Sequence, residues 1–146
     1  MLSKPPFRPQ ETDASCVPAC LRMVLSAFGV EVTEEWLCAA CDCTVLGTDA
    51  LKAVDAARQL GFTRSAKHTL TESELRAVVA SGLFPIVFVS LLPLDGLHEV
   101  HALVVVEFAE QTVVVLDPLQ GERHIPLQAF NAAWGMRWNL AILIER

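Results

Sequence analysis

Apolar positions recur at helical spacing in the first half of the chain and gather into nearly unbroken β-branched runs in the second. Ala19, Leu21, Met23, Val24, Leu25 and Phe28 predict a first helix over residues 17–28, stopped by Gly29. Ser15 stands at its capping position, and Pro18 suits the first turn, where a missing N–H leaves no bond unmade. Thr33, followed by Glu34, Glu35 and Trp36, opens a short second helix through Ala40. Thr44–Gly47 reads as a turn. Thr48 or Asp49 then caps a third helix, whose stripe Leu51, Val54, Ala57 and Leu60 is expected in the core. Phe62–Lys67 reads as a strand, and Thr71-Glu-Ser-Glu74 opens a fourth helix with Leu75, Val78 and Val79 on one face.

Beyond Gly82 the pattern changes to strands. Phe84–Leu92, Val100–Phe108 and Thr112–Leu116 are rich in β-branched and aromatic residues, and Ala109-Glu-Gln111 joins the last two as a hairpin. Asp117-Pro118 ends the third run, because proline cannot continue a central strand. Gly121 marks a turn, Glu122–Pro126 a short strand, Leu127–Trp134 a small helix or turn, and Asn139–Ile144 a closing strand. Helices first, then a mostly antiparallel sheet, give an α+β fold with the N-terminal helices packed on one face of a C-terminal sheet. At 146 residues the chain is expected to form a single domain, 1–146.

Composition narrows the function. A net charge of −6 with no basic block argues against a nucleic-acid partner. Residues 1–9 hold three prolines and no apolar h-region, so they read as an extended lead-in rather than a signal peptide. The longest apolar runs are too short for a membrane span. Five cysteines without an export signal favour reduced thiols and a cytoplasmic location.

The candidate chemistry starts with Cys16, placed where a helix begins. The positive end of a helix dipole favours a thiolate, the reactive form. Gln10, six residues earlier, carries an amide able to donate to an oxyanion. His101 opens one strand of the expected hairpin and Asp117 ends the other, which brings them to one edge of the sheet. There Asp117 can fix the imidazole tautomer and present the other nitrogen to a thiol.

These residues, in this order, resemble the papain-like cysteine peptidases that process bacteriocin precursors after a double-glycine leader. That family opens on a glutamine and an Asp-Cys-Gly-x-Ala-Cys-Leu motif, matched by Gln10 to Leu21. Gly47-Thr48, Leu60-Gly-Phe62, His101-Ala-Leu-Val-Val-Val, Asp117-Pro118 with Gly121, and Phe130 with Trp134 follow in the family's order. The resemblance implies a papain-like fold with Cys16 as nucleophile, His101 as general base and acid, Asp117 as its orienter and Gln10 as oxyanion donor. It implies a peptide or protein substrate with small residues such as Gly-Gly before the scissile bond, and no cofactor or metal. Ser15, Val17 and Val100 depart from the family's Asp, Gly and Gly, and the two valines narrow the groove expected to take Gly-Gly. The best-known members are domains of ABC exporters, whereas this chain reads as a stand-alone domain. The alternatives are a non-catalytic module gripping a leader peptide or partner protein, and acyl transfer in place of hydrolysis. The sequence leaves the oligomeric state open.

Other features have simpler readings. Cys38-x-x-Cys41-x-Cys43, with Cys20 or His68, can hold zinc, but no second pair stands at zinc-ribbon spacing and small core residues explain the cysteines better. His98 and His101 put their rings on opposite faces of an extended chain. Trp36, Trp134 and Trp138 are expected in the core or in groove walls. Glu34 and Glu35 are expected to serve only the dipole of the second helix.

Overall fold

The computed structural model describes residues 2–44 and 47–146. The first helix, α1 (Cys16–Ala27), starts at the cysteine itself. Ser15 holds the cap position without capping. Its hydroxyl accepts from the Thr12 amide and donates to the Thr12 carbonyl, both at 3.0 Å, so it clasps the loop before the helix. The second helix, α2 (Glu34–Ala40), is capped by Thr33, whose hydroxyl accepts from Trp36 N at 3.0 Å. Asp49 caps α3 (Ala50–Gln59) through a 2.7 Å bond from Leu51 N. The buried stripe of α3 is Ala50, Ala53, Val54, Ala56 and Ala57, and Leu51 is exposed, contrary to the expected core stripe. The small alanines, not the larger apolar side chain, face inward and let the helix approach closely. The turn expected at Thr44–Gly47 includes Val45 and Leu46, which lie outside the described residues; Thr44 and Gly47 form an isolated antiparallel bridge.

The first strand, β1 (Ala66–Thr69), begins later than the run Phe62–Lys67 suggests. Phe62 closes α3 instead: its amide bonds Ala57 O at 3.1 Å and its ring stands edge-on to Phe28. Its aromatic character reports core burial, not strand. The helix α4 (Glu72–Ala80) opens on a complete Thr71–Glu74 capping box. The strand β2 (Ile86–Ser90) stops short of the expected Leu92, because Pro93 falls in the first turn of a small helix, α5 (Leu92–Asp95). Then follow β3 (Val100–Phe108), β4 (Thr112–Asp117), β5 (Gly121–Pro126), α6 (Leu127–Gly135) and β6 (Leu140–Leu143).

The strands form one antiparallel sheet in the order β1-β6-β2-β3-β4-β5. Side chains alternate across it. Ile86, Phe88, Ala102, Val104, Leu116 and Ile142 pack with α1, α2 and α3. Val87, Val89, Leu103, Val105, Val115 and Ala141 pack with α4 and α6 on the other face. The N-terminal helices therefore cover one face as expected, but the second face is covered as well. The unbroken burial along β2 is the sign of that, since a strand with one wet face would alternate polar and apolar residues. Trp134 is fully buried in the second core, its indole N–H donating to Leu140 O at 2.9 Å, while Trp36 and Trp138 are exposed at 43% and 72% rather than lining the core. No helix among the described residues is long and apolar enough to cross a membrane.

Candidate active site

The site forms where the N-terminus of α1 meets the ends of β3 and β4. Pairing of Val104 with Leu116, with a bulge after Val105, sets the β3–β4 register and brings His101 alongside Asp117. His101 Nε2 lies 2.8 Å from Asp117 Oδ1, and both side chains are buried, 5% and 1% exposed. A carboxylate only accepts, so Nε2 carries the proton and Nδ1 is the nitrogen left for Cys16, which lines the same hollow as the ring. Burial opposes the imidazolium, but the hydrogen bond to Asp117 and the nearness of Cys16 and Asp117 outweigh it and push His101 up to about 9. Burial likewise opposes ionisation of Asp117, yet bonds from His101, the Leu119 amide and Arg123 hold its carboxyl below the ordinary range.

Arg123 was not foreseen from the sequence. Its Nη1 donates to Asp117 Oδ2 at 2.9 Å, and its Nη2 to Asp95 Oδ1 at 2.9 Å. Leu119 N donates to Asp117 Oδ1 at 2.8 Å, so both carboxylate oxygens are held. The signal was available in the β4–β5 hairpin. Gly121, with φ +85°, makes the turn, Val115 pairs with Arg123, and residues two apart share a face, so Arg123 and Asp117 point the same way. The Asp95 end, on α5, had no such signal.

Gln10 is tied by both its backbone and its side chain to the segments around the site. Its amide N–H donates to Pro118 O at 2.9 Å, which ties the lead-in to the residue after Asp117. Its side-chain Nε2 donates to Thr12 O at 2.8 Å and Asp13 O at 3.4 Å, and Oε1 is buried without a partner. Glu34 supports the same loop: it is only 2% exposed and accepts from Glu11 N at 2.9 Å. Burial pushes its carboxyl upward, against the hydrogen bond from the Glu11 amide. Glu34 is thus a buried brace for the segment before Cys16, not merely a dipole-facing acid.

Cys16 and His101 open onto a hollow of about 290 Å³, walled also by Val17, Thr48, Phe88 and Val100. Val17 is buried at 3% exposure and Val100 is 49% exposed, so of the two departures Val100 is the one open to an incoming chain. Cys20, one turn beyond Cys16, is fully buried, and burial first, then the nearby Cys16 and Asp117, push its thiol well up. The other cysteines separate: Cys41 is in the core, while Cys38 and Cys43 line a second hollow with Thr12, Asp13 and Ala14. Burial pushes Cys38 and Cys41 up to about 12. Among the described residues no three metal-ligating side chains come together.

This arrangement of thiol, imidazole and carboxylate, in this chain order, meets a family signature that spans nearly the whole sequence: the profile of the Peptidase C39 family matches residues 4–145. The chain belongs to the Peptidase C39 family. By sequence, no curated protein matches this C39 chain significantly. Among solved structures it is similar to a double glycine motif protease from an AMS/PCAT transporter in complex with its leader peptide, with TM-score 0.81 and 20% identity over 99% of this chain and 93% of that one. It is similar also to the peptidase domain of Streptococcus ComA, a bifunctional ABC transporter involved in quorum sensing, with TM-score 0.79 and 23% identity over 99% and 100%. A C39-like peptidase from Bacillus anthracis gives TM-score 0.77 and 16% identity over 97% and 94%. These likenesses establish the papain-like α+β fold of the C39 domain.

Proposed function

We propose that this C39 domain is a cysteine peptidase that cleaves a peptide after small residues through Cys16, His101 and Asp117. The observation that carries the reading is the buried His101–Asp117 pair, anchored by Arg123, with Cys16 on the same hollow as His101. The Cys16 thiolate attacks the scissile carbonyl carbon, and the carbonyl electrons move onto oxygen. The Cys16 backbone N–H lies in the first turn of α1, where amides have no helical partner, and it donates to that oxyanion. The second donor is Gln10, after its Nε2 exchanges the Thr12 and Asp13 carbonyls for the substrate. His101 gives a proton to the leaving amine, leaving a thioester on Cys16. It then takes a proton from the water that hydrolyses the thioester. Leader peptides ending in Gly-Gly are the substrates to try first. We infer that the work is done in a reducing, cytoplasmic setting, where an unpaired Cys16 stays a thiol, by residues 1–146 as one domain.

The test is the pH profile of cleavage of such a peptide. His101 is pushed up to about 9, so its acid form persists through neutral pH and is lost above that value. The expected kcat/KM falls through an alkaline limb centred near 9, by about tenfold per pH unit beyond it. A limb near 6.5, the ordinary histidine value, would contradict the buried His101–Asp117 pair as the working base.

A second reading, a non-catalytic module that grips a leader peptide, draws on one observation: the Gln10 amide is engaged with its own loop. On that reading a Gly-Gly peptide binds and stays intact.

A further inference from the structure

The walls of the hollow beside Cys16 and His101 include two cations, Lys67 on β1 and Arg137 after α6. Elsewhere most of the basic side chains are matched by acids: Lys4, Arg8, Arg22, Lys52, Arg76 and Arg123 each pair with a carboxylate. Among the described residues, neither Lys67 nor Arg137 forms an ion pair. Arg137 instead rests its guanidinium 5.1 Å over the exposed ring of Trp138, a contact that leaves its charge in place. The single acid in the hollow, Asp49, already accepts the Leu51 amide as the cap of α3. The remaining wall is mostly apolar, with Val17, Phe88, Val100 and Leu140, beside the single hydroxyl residue Thr48.

Each cation also has a local use. A lysine guards the open edge of β1, and an arginine just past α6 suits the negative end of its dipole. Neither use brings both cations to the same hollow as the nucleophile, in a chain whose net charge is −6. We infer that this hollow selects substrates carrying an acidic side chain close to the scissile bond, with Lys67 and Arg137 as the residues that read it. The apolar wall takes the methylenes of that side chain, and the two cations meet its carboxylate. This rests on the peptidase reading above and names the substrate class of the same site.

The experiment uses short acylated peptidyl chloromethyl ketones, which alkylate an active-site thiolate with loss of chloride. Each ends in glycine and carries Glu, Gln or Lys at the second, third or fourth position before the electrophile. The rate of adduct formation on Cys16 is followed by mass spectrometry. At one position the Glu probe is expected to react about tenfold faster than Gln, and Lys more slowly than both. The advantage should shrink in high salt, as exposed charge pairs do. The double substitution Lys67→Glu with Arg137→Glu should reverse the order of Glu and Lys. Equal rates for the three probes at every position, with Cys16 still labelled, would overturn the acidic preference alone. If neither the probes nor iodoacetamide label Cys16, the peptidase reading fails and the preference falls with it.

Discussion

Replacing Cys16 by alanine should abolish peptide cleavage, with a loss of about 10⁴-fold or more. The thiol is the only atom of the arrangement able to form the thioester, and no neighbour can stand in for it. Cys20 lies one turn on but is fully buried, and burial pushes its thiol well up, away from the reactive form. Cys38 and Cys43 line a different hollow. The fold should survive, because Cys16 is a partly exposed residue in the first turn of α1 and alanine is a good helix former. The check is product formation from a Gly-Gly peptide by chromatography, with circular dichroism alongside. Cleavage at the parent rate by the folded variant would remove Cys16 from the mechanism.

Replacing Asp117 by alanine should damage both turnover and stability. Its carboxylate holds His101, the Leu119 amide and Arg123 at once. Without it the buried His101 loses its carboxylate, a situation that costs about 3–5 kcal/mol, while Arg123 keeps Asp95. Loss of the orienter should lower kcat by about 10⁴-fold. The pH dependence carries a definite sign. His101 sits above its ordinary 6.5, so the stability it contributes is complete below that pH and is lost as pH rises through about 9. Asp117 is held below its ordinary 3.8, so its contribution is present above that value and is lost in acid. The parent protein should therefore exceed the variant most between these limits, with the difference closing toward pH 9 and toward strong acid. Urea titrations across that range measure it. A difference that does not change with pH would place the loss in packing rather than in the charged chain.

Much of this site was legible because its parts follow from local rules. A helix start at Cys16 needs only an apolar stripe ending at Gly29. The meeting of His101 and Asp117 needs only a hairpin between two strong strand runs. What was not legible depends on three-dimensional neighbours. Helices on both faces of the sheet leave the same local pattern as a buried strand in any setting, so the cover over Val87 and Leu103 had to be seen. Glu34 looks like an ordinary first-turn acid until the lead-in folds back and presents the Glu11 amide to it. Ser15 has the right residue type for a cap, but Thr12 competes for its hydroxyl through a short loop. The engagement of Gln10 with Thr12 and Asp13 is of the same kind: spacing fixes where the residue is and not which carbonyls are within its reach.

The central claim is an activated thiol at Cys16, and mapped alkylation at pH 6 tests it most directly. Iodoacetamide is added in limited amount, and the labelled residue is identified by peptide mass. The account predicts one adduct, on Cys16, formed well before any on the other four cysteines and lost when His101 is replaced by alanine. Label spread evenly over the cysteines, or none at all, would contradict it and leave the domain as a binder of peptides.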